Sequence, residues 1–294
     1  MLNWNRKSVL FVGVFEHGST NVSQANSFEE MGCDVTRFDY RNGYSSITDS
    51  SLRRLCFTIE RAKPEVVFFS KCNGVPVEVV HLANKTGKTV MWYMDPLNKN
   101  FDAEVKQKIE SCTISCFALQ KPLEAAQAFS DTVYFVHEGF DPKIDQPHDI
   151  VQDLDVTFIG DLRDHRAVYA RAVGFANVTG AYGRDHAEAV SRSKINLNFT
   201  EGGASDRVYK VLAAGGFLLT QPWPDMEKDF LIGRDLDVFT TPTELKEKIR
   251  YYLTDGIEER EGIALYGNQT VQRFSRSHFG PKILALLEHQ ERNK

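Results

Sequence analysis

The sequence predicts an α/β fold made of two doubly wound parallel-sheet domains facing a cleft. Three observations point to it. Short, nearly continuous apolar runs recur along the chain, as strands covered on both faces require. Amphipathic stretches separate them, which is the strand–helix alternation of a parallel sheet. A polar, proline-bearing stretch at 138–153 interrupts the pattern, and the pattern then restarts, as it does across a linker. A chain of 294 residues accommodates two such domains without disulfide or metal staples.

In the first half, the runs Val9–Phe15, Val35–Phe38, Val66–Phe69, Val90–Met94, Ile114–Ala118 and Val133–Val136 read as strands. Val22–Met31, Ser51–Ala62, Pro76–Lys85, Asp102–Glu110 and Pro122–Phe129 read as the helices between them. After the linker, strands are expected at Val156–Ile159, Ile195–Phe199, Phe217–Thr220 and Val238–Phe239. Helices are expected at Arg163–Ala172, His186–Arg192, Arg207–Ala214 and Glu244–Leu253, followed by a helical tail at Ile257–Arg273 and Pro281–Gln290. The domains are placed at 1–145 and 154–276, with 277–294 as a C-terminal helix. In Rossmann-like sheets of this kind, ligands sit beyond the carboxyl ends of the strands, where helix N-termini converge.

Composition narrows the class. Apolar residues make up 42% and charged residues 26%, which excludes a disordered or collagen-like chain. A net charge of −5 gives no global pull toward nucleic acid. Cys33, Cys56, Cys72, Cys112 and Cys116 form no C-x-x-C pair and read as thiols in a reducing compartment. No apolar stretch reaches the ~18–20 residues of a membrane span, and the start has no signal-peptide layout, so a cytoplasmic location is expected.

Four stretches carry chemistry. The first strand runs into Glu16-His17-Gly18-Ser19, a small polar loop before a helix, where backbone N–H groups meet an anion or a sugar hydroxyl, or form a plain capped turn. Trp92-Tyr93-Met94-Asp95-Pro96 ends another strand with a carboxylate on its lip; Asp95 is either a base or a turn cap. Phe158-Ile159-Gly160 leads into a basic helix start, where Gly160 allows close backbone approach and Arg163 and Arg166 face a diphosphate or solvent. The richest stretch is Ser193–Thr220. There Asn198 ends a strand, Gly202-Gly203-Ala204 bridges to a helix, Ser205 or Asp206 caps it, and Arg207 adds a full charge to the helix's partial one. The chain has no G-x-S-x-G, no H-E-x-x-H and no cysteine cluster.

These residues resemble a known family. Phe158-Ile-Gly160 with Arg166, Tyr182-Gly183, Ile195–Phe199 and Ser205-Asp206-Arg207 through Gly215-Gly216 look like the CgeB-like (spore-maturation type) glycosyltransferases. Thr241–Leu245, Tyr251-Tyr252-Leu253, Arg260, Gly267 and His278 also fit, and Lys88–Pro96 and His137–Pro142 fit more loosely. The resemblance implies the two-domain GT-B fold and transfer of a sugar from a nucleotide-diphosphate sugar, with UDP ranked first. It places the donor nucleotide on the C-terminal domain and the acceptor on the N-terminal one, with no cofactor. Carried over by position, Arg207 pairs with the diphosphate, Gly160 borders it and Tyr182-Gly183 lie near the base, while the final helix packs back on the first domain. One departure stands out. Relatives carry a ribose-binding glutamate where this chain has Lys210, and a lysine cannot accept such bonds. Either Lys210 binds phosphate, or Glu201 or Asp206 takes the ribose.

The leaving diphosphate would be stabilised by Arg207, Lys210, Arg163 or Arg166 and a helix N-terminus without a metal, since Asp153-Leu-Asp155 and Asp235-Leu-Asp237 sit in unsuited settings. If transfer inverts, Asp95, His17 and Glu16 are the candidate bases, with Asp95 ranked first. The acceptor class stays open among glycan, protein, small molecule and hydroxymethylated phage DNA; the last implies action in a bacterial host's cytoplasm. A non-catalytic nucleotide-sugar-binding protein with a degenerate site is the alternative reading.

Overall fold

The computed structural model describes residues 4–16, 18–97, 100–162, 165–200 and 202–292. The chain divides into two compact units: residues 1–137 with 276–294, and residues 138–275.

In the first unit β1 (Ser8–Gly13), α1 (Thr20–Glu29), β2 (Asp34–Asp39), α2 (Asp49–Ala62), β3 (Val66–Ser70), α3 (Val77–Asn84), β4 (Lys88–Tyr93), α4 (Ala103–Ser111), β5 (Ile114–Phe117), α5 (Gln120–Gln127) and β6 (Val133–Phe135) alternate along the chain. The strands form one parallel sheet of order β2-β1-β3-β4-β5-β6. Strand residues alternate between two cores, as a period of two dictates. Leu10, Val12, Val67, Phe69 and Met91 meet Leu55, Ile59, Val79, Val80 and Ile109 of α2, α3 and α4. Val9, Phe11, Phe68, Val90 and Trp92 meet Ala25 and Phe28 of α1 and Phe279, Ile283, Leu284 and Leu287 of the last helix, α11 (Phe279–Arg292). Side-chain caps start several helices: Ser19 Oγ accepts from Asn21 N, Thr48 from Ser51 N, and Asp102 from Val105 N. The Ser19 cap starts α1 two residues before the expected Val22.

Gly280 lets α11 approach α1 closely. Its N–H donates to Ser27 Oγ at 2.8 Å, and a Cβ there would lie 2.9 Å from the backbone C and O of Ser27. Gly280→Ala should therefore push the two helices apart and lower stability by about 2 kcal/mol. Urea unfolding checks this as a lower midpoint with an unchanged slope.

The second unit contains β7 (Leu154–Ile159), α6 (His165–Val173), β8 (Ala176–Val178), α7 (Arg184–Ser191), β9 (Ser193–Asn198), α8 (Asp206–Ala213), β10 (Leu218–Thr220), β11 (Asp237–Val238), α9 (Pro242–Leu253) and α10 (Ile257–Val271). Its sheet is parallel with order β11-β10-β9-β7-β8. Val156, Phe158 and Leu197 pack with Tyr169, Leu245 and Tyr252 on one face. Ile159 packs with Ala187, Val190, Val208 and Leu212 on the other, where Phe140 from the polar stretch also joins. β8 was not expected, because three residues, Ala-Asn-Val, at a half-exposed edge carry too little apolar pattern to register. The chain leaves β7 toward β8 on one side and returns to β9 on the other. The carboxyl ends of β7 and β9 are therefore the topological switch point, where such sheets bind ligands. In the first unit the switch lies between β1 and β3 for the same reason.

Candidate functional site

At the β7–β9 switch, Arg207 in the first turn of α8 reaches back over both strand ends. Its Nε donates to the Ile159 carbonyl at 2.7 Å and its Nη1 to Asn198 Oδ1 at 3.0 Å. The guanidinium lies over the Phe158 ring, 4.9 Å from its centroid. Asn198 is fully buried, and its amide donates to Thr220 Oγ1 at 2.9 Å. Asn198 thus orients Arg207 rather than facing a ligand. Gly160 makes room for this arrangement: its φ is +145°, and a Cβ would stand 2.7 Å from Arg207 Nη2.

Around Arg207 the sequence candidates are placed as follows. Ser205 occupies the N-cap position of α8, but its hydroxyl makes no capping bond, and its buried Oγ has no partner among the described residues. Asp206 Oδ2 and Lys210 Nζ pair at 2.5 Å, one turn apart, so Lys210 folds back along its own helix. Arg166 donates to the Asp161 carbonyl at 3.2 Å. Gly183 takes φ +56° at the N-cap of α7, and Tyr182 before it is 62% exposed. Arg163, His17 and Glu201 lie outside the described residues.

His186 was not among the sequence candidates. It is buried on the inner face of α7 with Ala187 and Val190, and its Nδ1 has no partner among the described residues. Burial, then Lys210 and Arg207 against the opposing pull of Asp206, holds its imidazole down to about 4. The signal was present in the apolar spacing of α7, which turns residue 186 inward. The cluster offers a fixed cation, a helix N-terminus, a neutral imidazole whose Nδ1 has no partner among the described residues, and the buried Ser205 hydroxyl, likewise without one. Anionic oxygen suits such a surroundings of donors.

Beside it, a cleft of about 430 Å³ opens at the carboxyl ends of β9, β10 and β11, lined by His165, Thr200, Gln221, Pro222, Phe239 and Thr240. Tyr169 braces its wall, donating to the Thr240 carbonyl at 2.9 Å and accepting from Gln221 Nε2 at 3.1 Å. The two D-x-D elements are engaged elsewhere: Asp153 with Arg192, Asp155 with Lys194, and Asp237 with Lys248 and Tyr252.

In the first unit Asp95 stands just beyond β4, and its carboxylate pairs with Lys71 Nζ at 2.5 Å. Lys71 follows β3, so the pair spans the lips of two neighbouring strands. Glu16 is exposed in the loop after β1, where its carbonyl accepts from Ser19 N at 3.0 Å. Cys72 and Cys112 are inert thiols, each pushed up to about 12 by burial.

Residues 148–280 match the family model described as glycosyl transferase-like. The whole chain superposes on solved GT-B structures. Anabaena HepE in complex with UDP and glucose is 11% identical with a TM-score of 0.72, covering 96% of this chain and 100% of its own. A glycosyltransferase from Rickettsia africae is 12% identical with a TM-score of 0.70, covering 99% and 100%. Sucrose-phosphate synthase from Thermosynechococcus elongatus is 8% identical with a TM-score of 0.70, covering 98% and 100%. No curated protein matches the sequence. The chain has the GT-B fold, and the stretch that matches the glycosyl transferase-like model covers most of the second unit.

Proposed function

We propose that this chain, a GT-B protein with a glycosyl transferase-like second unit, moves a sugar from a nucleotide-diphosphate donor to a hydroxyl acceptor. UDP is the favoured nucleotide, which HepE also binds. A CgeB-like placement within the glycosyltransferases accords with the Ser205–Gly216 stretch.

One observation carries the reading. Arg207 is locked across the β7–β9 switch in the first turn of α8, next to the N-cap Ser205 and within electrostatic reach of the buried His186. Transfer leaves negative charge on the departing diphosphate, and a fixed guanidinium and helix dipole stabilise that charge without reorganising. These groups supply the charge stabilisation that a metal provides elsewhere, so transfer is expected to proceed without one. Gly160 borders the phosphates. Tyr182 and Gly183 border the base. Asp95 takes the acceptor proton in the first unit, which receives the acceptor.

On the first unit Arg37 pairs with Glu29, Lys71 with Asp95, Lys88 with Glu291 and Lys7 with Glu65, so these four cations are already engaged and would have to exchange partners to meet a phosphate backbone. Five free thiols, four of them buried, suit a reducing compartment such as the cytoplasm. No described helix is long and apolar enough to cross a membrane.

The inward turn of Lys210 onto Asp206 favours one second reading, a binding protein without turnover. A thermal-shift series with UDP, GDP and UDP-glucose tests both. At a hundredfold excess over its dissociation constant, UDP should stabilise the fold by about 2.7 kcal/mol. UDP-glucose should be consumed when hydroxyl acceptors are added. No stabilisation by any nucleotide would overturn the donor site. Stabilisation without turnover across the acceptors would favour the second reading.

A further inference from the structure

The turn after β3 is strained in an unusual way. Lys71 and Cys72 are adjacent, neither is glycine, and both are left-handed, with φ of +60° and +53°. Such residues sacrifice stability and persist only where the surroundings over-determine them. Here they do. Lys71 N donates to the Trp92 carbonyl at 2.8 Å and Cys72 N to the Ser70 carbonyl at 2.7 Å. Lys108, a lysine of α4 only 2% exposed, donates to the Cys72 carbonyl at 2.7 Å. Glu104, one turn earlier, accepts from Lys108 at 2.5 Å and from Gly74 N at 3.1 Å. Burying a lysine is costly even when a carboxylate and a carbonyl share its ammonium, and the conformation it holds sets the neighbouring Lys71.

The turn carries the Lys71 ammonium across the lip of the sheet to Asp95, leaving both side chains about a third exposed, at 28% and 34%. An ammonium and a carboxylate side by side present a donor and an acceptor together. A neutral hydroxyl matches both, accepting from one and donating to the other. An anionic group would gain Lys71 and meet Asp95 at the same distance.

We infer that Lys71 is a second acceptor-site residue, positioned by the left-handed turn, and that the acceptor is a neutral polyhydroxyl compound. This rests on the glycosyltransferase reading. In the step, the acceptor oxygen, held by Lys71, forms the new bond to the anomeric carbon as the bond from that carbon to the diphosphate breaks. The hydroxyl proton passes to the Asp95 carboxylate, and the nucleoside diphosphate leaves with the bonding pair.

The experiment uses the full chain, with UDP-glucose as donor. The acceptors are neutral probes (methyl glucoside, glycerol, inositol) and charged ones (methyl glucuronide, glucose 6-phosphate). Lys71→Gly removes the ammonium from a position whose backbone suits glycine. Its melting midpoint should stay within about 2 °C of the parent, because relief of the turn offsets the added chain freedom. Transfer to neutral probes should fall at least tenfold, while the shift produced by UDP is unchanged, and Lys71→Arg should recover part of the rate. Transfer within twofold of the parent, a midpoint lower by several degrees, or preference for charged probes would overturn the inference. A donor-free readout separates it from the donor reading. The side-chain NMR signal of Lys71 should move with neutral probes alone. A response there without any UDP shift would sink the donor site and leave only hydroxyl binding at the Lys71–Asp95 pair, and no response to any neutral probe would sink this inference whatever UDP does.

Discussion

Arg207→Ala lowers the affinity for UDP by about a hundredfold, read by calorimetric titration. A hydrogen bond to a charged group contributes roughly 1.5–3 kcal/mol, and each tenfold in affinity is about 1.4 kcal/mol. Arg207 is held by Ile159 and Asn198 before any ligand arrives, so little ordering is left to offset the gain on binding. The same bonds make the residue structural, and alanine strands the buried Asn198 Oδ1, at a cost of about 1–2 kcal/mol. Stability must therefore be measured alongside affinity, and two further variants separate the roles. Lysine keeps the charge but cannot span both strand ends, so Arg207→Lys recovers only part of the affinity. Gly160→Ala keeps Arg207 but puts a methyl 2.7 Å from Nη2 at a φ of +145°, so it displaces the guanidinium and weakens UDP binding as well. Unchanged UDP affinity in a folded Arg207→Ala protein would place the diphosphate elsewhere.

What made the site legible was local. A strand, a glycine-bearing loop and a capped helix follow one another in sequence, so Gly160, Asn198 and Ser205–Arg207 could be placed at the carboxyl lip from the chain alone. What that reading missed depends on contacts distant in sequence. Asn198, at the end of its strand, counts among the donor-site candidates by position, but Thr220 and Arg207 take up its two ends. Ser205 looked like a helix cap, and its position is right, but its hydroxyl is turned away from the bond that would make it one. Nothing local in the sequence singles out Lys71. Its meaning comes from Lys108, far along the chain, which holds the Cys72 carbonyl and fixes a turn that local sequence would not choose. The fold itself was easier, because apolar runs buried on both faces announce a parallel sheet. The edge strand β8, three residues long and half-exposed, escaped, and the stretch read as a linker belongs to the second unit, with Phe140 in its core.

Acidification from pH 7 to pH 4 should cost the second unit about 3 kcal/mol through His186. In the unfolded chain this imidazole titrates near 6.5; in the folded one it is held down to about 4. Between those values the unfolded state binds a proton that the folded state does not. Stability therefore falls as pH drops through this window, by about 1.4 kcal/mol per unit, and levels off below it. The depressed carboxylates act lower: Glu65, bonded by Lys7, and Glu244, bonded by Thr240, lose their contribution below about pH 4.5. Above about pH 5.5 these carboxylates contribute little slope, and the fall between pH 6.5 and 5.5 is assigned to the imidazole. His186→Leu should flatten it in urea unfolding, and a slope that survives the substitution would show that another group carries it. The same measurement reports on the ligand. A diphosphate at Arg207 would lie close to the cations that now disfavour imidazolium, and a nearby anion favours the protonated ring. Saturating UDP should then shrink the acid slope in the parent protein and leave the His186→Leu protein unaffected. If the slope is identical with and without UDP, the diphosphate does not sit beside His186.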